Sequence, residues 1–149
     1  MKILVLNCGS SSIKYALYNM DDQSVITSGG IEKIGLPDSC IIVKLNGEKY
    51  KMERPIEEHT AGVQWIFEVL TTGDYAVLNS LEELDAVGHR MVHGGEKFNK
   101  SVILTPEVME AFTACNDLAP LHNPANIKGV NAVSALLPNI TQVGVFDTA

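Results

Sequence analysis

No apolar run in the sequence approaches the roughly 18 residues that a membrane-spanning helix needs, so no membrane partner is expected. Cysteine is scarce: Cys8, Cys40 and Cys115 are odd in number, widely spaced and without a Cys-x-x-Cys pair. That argues against a disulfide framework and a zinc ribbon, and points to a reducing compartment, the cytoplasm. Positive charge is also short, with 11 Lys and Arg against 18 Asp and Glu and a net charge of -7. No nucleic-acid surface spread over the chain is expected. A local anion site stays open, because backbone N–H groups and one or two basic side chains suffice for phosphate. The opening apolar stretch reaches polar Asn7 too soon for a signal-peptide core. No internal repeat or low-complexity linker is visible. What remains is ordinary globular composition, 46% apolar and 19% charged over 149 residues. This is enough for one domain that buries roughly 70% of its extended-chain surface.

Patterning along the chain gives the elements. Ile3 to Leu6 reads as a strand buried on both faces. Asn7-Cys8-Gly9-Ser10-Ser11-Ser12 breaks it with turn chemistry. Ile13, Tyr15 and Leu17 then alternate through a second strand, so the Ser-rich segment is a hairpin tip. Ser24 to Glu32 reads as a third strand, weakened by Gly29-Gly30. Asn46-Gly47, between Ile41–Leu45 and Glu48–Met52, is the strongest short hairpin signal. Its lysines suit an exposed sheet edge. The period then changes. Thr60 can cap a helix carrying Val63, Ile66, Phe67 and Leu70 on one face. Leu84 to Val92 reads as a strand ended by Gly94-Gly95. Thr105-Pro106-Glu107 starts a helix that runs to about Asn116. Asn123-Pro124 starts another, with Ile127, Val130, Val133 and Leu137 in register and Pro138 as its stop. Ile140 to Phe146 is a last strand that delivers Asp147 to its end. Antiparallel strands followed by strand–helix alternation predict an α/β domain, a mixed sheet with helices on its faces and an edge hairpin insertion. The sequence stops at Ala149, straight after a buried strand, and reads as cut at that point.

Four segments can carry chemistry. Asn7 to Lys14 is no Walker A loop, since Gly-x-x-x-x-Gly-Lys-Ser/Thr is absent. It still offers a glycine for close backbone approach, hydroxyls that donate to phosphate oxygens, and Lys14. Ser12 and Lys14 share strand parity and point to one side. A plain polar hairpin tip has the same composition. In Gly88-His89-Arg90-Met91-Val92-His93-Gly94-Gly95, Arg90 near a strand end can clamp a carboxylate or phosphate. A surface arginine before a glycine turn is the plainer reading. His89 and His93 would stand about 13 Å apart on a strand, too far to share a metal ion. In Leu118 to Asn126, His122 directly precedes a helix N-terminus and can donate to a phosphoryl oxygen, or simply pack in a capped loop. Asp147 closes the last strand, where open α/β sheets place catalytic or metal-binding carboxylates and where helix caps are also common. Asn7, Ser10, Ser12, Lys14, Arg90, His122 and Asp147 all fall at strand ends or helix starts, which predicts one shared cleft.

These four blocks, in this order, resemble the acetate and propionate kinase family of the acetate-and-sugar-kinase, Hsc70 and actin superfamily. The matching pieces are Leu4–Lys14, Gly88–Gly95, Leu118–Asn126 and Val145–Ala149, spanning nearly the whole chain. The resemblance implies a ribonuclease-H-like (actin-like ATPase) domain over residues 1–149, the N-terminal domain of a two-domain, homodimeric ATP:acetate phosphotransferase. It implies that Asn7 helps hold Mg²⁺ (Mn²⁺ as a substitute), that Lys14 contacts ATP phosphates, and that Ser10 and Ser12 line the phosphate turn. It further implies that Arg90 binds the substrate carboxylate and that Val92 and Leu121 wall its methyl group. His122 would touch the transferring phosphoryl group, and Asp147 would be the catalytic acid/base.

The family's second domain, with the rest of the transition-state and Mg²⁺ residues, has no counterpart in these 149 residues. The fragment alone is therefore expected to be inactive. Two alternatives stay open: a kinase for propionate or another short-chain acid, and a truncated, non-catalytic binding module.

Overall fold

The computed structural model describes residues 1–91, 102–104 and 123–146. The expectations for Val92, His93, the helix over 105–116, Leu121, His122 and Asp147 lie outside the described residues.

The chain begins as a meander. Strands β1 (Lys2–Cys8), β2 (Ile13–Asn19), β3 (Ser24–Glu32), β4 (Cys40–Leu45) and β5 (Glu48–Glu53) pair antiparallel in sequence order. The two-residue Asn46-Gly47 loop makes the expected hairpin, and β5 is the edge strand. Helix α1 (His59–Thr71) follows, then a single 3-10 turn at Leu81–Glu83 that the patterning did not foresee. Strand β6 (Ala86–Met91) lies parallel to β1. After the two-residue β7 (Val102–Ile103) come helix α2 (Asn123–Leu136) and β8 (Thr141–Phe146), which is parallel to β6. The resulting eight-stranded mixed sheet has the order β5-β4-β3-β2-β1-β6-β8-β7. Short β7 has no counterpart in the sequence reading; its two residues are too few to show a period.

Both described helices pack on one sheet face. Leu4, Leu6, Ile13, Leu17, Ile31, Ile41 and Val43 reach it from the strands, and Val63, Ile66 and Leu70 from α1; all are essentially inaccessible to water. This corrects the expectation for β1. Its Leu4, Leu6 and Cys8 are buried, but Ile3, Val5 and Asn7 on the opposite face are only half-buried. Hydrophobicity sets how well a residue tolerates burial, whereas coverage depends on what packs above it.

The α1 start also differs in detail. Glu58, not Thr60, is the cap. In its extended conformation its carboxylate accepts from the backbone N–H groups of Thr60 (3.0 Å) and Ala61 (2.9 Å). Burial works to raise the Glu58 pKa, but those donations outweigh it and hold the carboxyl below its usual range. Helix α2 buries Val130 and Val133 as its spacing predicts and ends ahead of Pro138, but Ile127 is only half-buried and Leu137, also half-buried, lies just past its end. It approaches β1 so closely that a Cβ on Gly129 would stand 2.5 Å from the Cys8 Sγ.

Candidate active site

The site is built at the carboxyl ends of the parallel strands, where open α/β sheets hold ligands. Strand β1 ends in half-buried Asn7 and buried Cys8. The chain then turns through Gly9–Ser12, closed by a hydrogen bond from the Gly9 N–H to the Ser12 carbonyl (2.8 Å). Strand β2 returns Lys14 directly opposite Asn7. On the other side of β1, Leu6 pairs with His89 of β6, so Arg90 stands one residue further, beside Asn7. Alternation puts Asn7, Lys14 and Arg90 on the sheet face away from the two helices. Adjacent strands are about 4.8 Å apart. The three residues therefore form one row across β2, β1 and β6. Lys14 and Arg90 are exposed, as is Ser10, and Ser12 is half-buried next to them.

The Gly9–Ser12 turn is held from below. The buried His59, first residue of α1, donates from Nε2 to the Gly9 carbonyl oxygen at 2.7 Å. The Ile34 N–H donates to the Ser11 carbonyl at 2.9 Å. These two bonds hold the turn by its carbonyls. Sequence reasoning missed His59, which lies 50 residues from its partner and has no motif around it.

His89 turns out to be structural. It is buried on the helix-covered face, opposite to Arg90, and its Nε2 donates to the Gln142 side-chain oxygen at 2.6 Å. The Gln142 amide nitrogen donates in turn to Ser134 Oγ on α2 at 2.8 Å. Burial pulls the His89 pKa down to about 4, although the Gln142 bond works the other way, so the ring is neutral at pH 7. One chain of hydrogen bonds thus ties β6, β8 and α2 together behind Arg90.

Among the described residues no group of three His, Cys, Asp or Glu side chains is placed to hold a metal ion. The oxygen donors of the Asn7 amide and the Ser10 and Ser12 hydroxyls nevertheless suit Mg²⁺. That ion keeps several waters and takes few protein ligands when it binds with phosphate.

A mixed sheet with a Ser-rich hairpin turn at the end of β1, and β6 and β8 added in parallel, defines a domain of the actin-like ATPase fold. Within that class the chain belongs to the Acetokinase family, whose sequence model matches residues 2–149. It is 65% identical over 150 aligned positions to an acetate kinase of Bacteroides fragilis and 66% identical to one of Bacteroides thetaiotaomicron. Each match takes in 100% of this chain and 38% of the relative, so the chain spans less than two fifths of those proteins' length. A crystal structure of Porphyromonas gingivalis acetate kinase superposes with a TM-score of 0.97 at 56% identity, over 99% of this chain and 37% of that one. A propionate kinase from Francisella tularensis superposes with a TM-score of 0.88 at 36% identity, over 98% and 36%. No helix among the described residues is long and apolar enough to cross a membrane.

Proposed function

We propose that this chain is the N-terminal domain of a cytoplasmic, homodimeric kinase that transfers the γ-phosphoryl group of ATP to acetate, reversibly, giving acetyl phosphate and ADP. The observation that carries this is the row Lys14–Asn7–Arg90 beside the Gly9–Ser12 turn, in a chain of this family. A phosphate cradle and a carboxylate-binding guanidinium stand on neighbouring strands at the same height.

Acetate titrates in the same range as Asp and Glu, about 4 to 5, and is ionised at pH 7. No base is needed to activate it. Arg90 holds one carboxylate oxygen by charge-assisted hydrogen bonds and leaves the other to attack. That oxygen forms a bond to the γ-phosphorus as the bond to the β,γ-bridging oxygen breaks in line with it. The electron pair leaves with ADP. Lys14 and the turn's N–H groups meet the growing negative charge on the phosphate oxygens, and His122 donates to the group in transit. By the likeness to the family, Val92 and Leu121 would wall the methyl group. Bound Mg²⁺ supplies further charge neutralisation on the phosphates, with Asn7 and Asp147 as the residues of this chain that would hold it. Asp147 has no proton to take from an ionised acid, so its part is to hold or orient the cation.

The chain spans 38% of the length of its acetate kinase relatives, so the kinetic tests are made on the full-length protein. The test is steady-state kinetics of Arg90→Ala in the full-length enzyme. KM for acetate should rise at least about ten-fold more than KM for ATP, since Arg90 supplies a charged hydrogen-bonding pair to one substrate only. Equal effects on both substrates would refute the role. Propionate is the second reading, favoured by the likeness to the Francisella enzyme. One methylene separates the two substrates by only about 1–3 kcal/mol, so the ratio of kcat/KM on each decides.

A further inference from the structure

We propose that the phosphate turn opens sideways into a second anion-binding groove, walled by Lys44 and Lys49. The groove captures condensed-phosphate chains, of a nucleoside triphosphate or of free pyrophosphate, and feeds them to the turn. The proposal rests on the kinase reading above and adds a site to it.

The groove lies on the same exposed sheet face as the Lys14–Asn7–Arg90 row. Its volume is about 410 Å³, and Ser12 and Lys14 line it from the turn side, Lys44 and Lys49 from the far side. At about 30 Å³ per water, that is room for roughly a dozen waters, or a hydrated diphosphate. Pairing fixes the layout. Lys14 stands opposite Gly30, Lys44 opposite Ser28, and Lys44 directly opposite Lys49. Lys14 and Lys44 are thus two strands and two residues apart, about 12 Å between Cα atoms. Two extended lysine side chains can close on one phosphate chain across that gap. The floor is kept low by Gly30, where a Cβ would stand 2.9 Å from the Ile13 carbonyl oxygen and 3.6 Å from Lys14 Cγ.

The charge arrangement points to a ligand. Like charges directly opposite on neighbouring strands are destabilising. None of Lys14, Lys44 and Lys49 has an ion-pair partner among the described residues, in a protein whose Asp and Glu outnumber its Lys and Arg by 18 to 11. The nearby acids are placed elsewhere. Glu48 points to the other face and takes the Tyr50 hydroxyl, and Glu53 faces Lys51 at 4.0 Å. Among the described lining residues Glu32 is the one carboxylate, against three ammonium groups. Protection of a sheet edge accounts for lysines on β5, the edge strand. It does not account for Lys44, which is on inner strand β4.

The test replaces both wall lysines in the full-length enzyme, Lys44→Gln with Lys49→Gln. Kinetics are run at about 0.01 M and about 0.15 M ionic strength, where the screening length falls from about 30 to about 8 Å. At low salt KM for ATP should rise about three- to ten-fold, and inhibition by pyrophosphate should weaken by a similar factor. Both gaps should narrow at the higher salt, and KM for the carboxylic acid should stay put. Weakened pyrophosphate inhibition with unchanged KM for ATP would support the groove and identify free condensed phosphate as its occupant. Unchanged values for both at low salt would overturn the proposal and leave the lysines as solubilising groups. If the parent enzyme shows no carboxylate-dependent formation of ADP, the kinase reading has failed rather than the groove. Calorimetric titration of pyrophosphate into the same two proteins then decides, with equal affinity counting against the groove and a loss in the double variant supporting it.

Discussion

Substitution Gly129→Ala tests how α2 is seated on β1, and its sign should depend on one atom. The methyl group would stand 2.5 Å from the Cys8 Sγ, over 1 Å inside ordinary contact. Cys8 is buried on a strand and has one side-chain torsion with which to move away. Overpacking of this kind costs about 1–3 kcal/mol. Against it stands the gain from replacing glycine inside a helix, about 0.5–1 kcal/mol. The expected net result is a loss of about 1–2 kcal/mol. With Cys8→Ala the balance inverts. The sulfur is gone, and the Cβ kept at position 8 lies 3.5 Å from the added methyl, an ordinary contact. The His89 ring is at 3.8 Å and also undisturbed. In that background Gly129→Ala should stabilise by about 0.5–1 kcal/mol, so the two substitutions couple by about 1.5–3 kcal/mol. The assay is urea unfolding of the four proteins at matched slope. If Gly129→Ala changes stability by the same amount in both backgrounds, α2 does not rest on the Cys8 sulfur and the packing described here is wrong.

Two further outcomes follow from buried histidines. His89 has its pKa lowered from 6.5 to about 4 in the fold. The unfolded chain binds this proton first, so the contribution is fully present above about pH 6.5 and is lost as pH falls towards 4. It amounts to about 3 kcal/mol in all. Unfolding free energies at pH 7 and pH 4.5 should differ by less in His89→Gln than in the wild type, and equal differences would contradict the burial. His59→Leu should leave the Gly9 carbonyl unpaired and loosen the Gly9–Ser12 turn; on the kinase function proposed above, KM for ATP of the full-length protein should then rise several-fold with little change for acetate. His59→Gln, which can still donate, should restore part of the loss. A uniform fall in both substrates' kcat/KM would show that His59 supports the fold rather than the turn.

Local patterns were legible where the physics is local. Alternation of Ile13, Tyr15 and Leu17 gave β2 its inward face, and all three are buried. Asn46-Gly47 gave the hairpin, and the Val63, Ile66, Phe67 and Leu70 spacing gave α1 its buried face. The Ser-rich turn and the shared side of Ser12 and Lys14 were readable for the same reason, since parity along one strand needs nothing beyond that strand. The Glu58 cap was not, because its carboxylate competes with Thr60 on backbone geometry that the residue names do not specify.

By itself, then, the sequence determined every described strand but the two-residue β7, the two described helices and the turn chemistry, and its four blocks named the family. The tertiary structure alone decided which residues meet. Arg90 reaches Asn7 because β6, more than 80 residues on, docks parallel to β1. His59 reaches Gly9 because α1 folds back under the turn, and Lys44 comes alongside Lys14 because β3 pairs with both of their strands. Such meetings are set by which faces bury each other across the whole domain, and a periodicity of two or 3.6 residues carries no record of that choice.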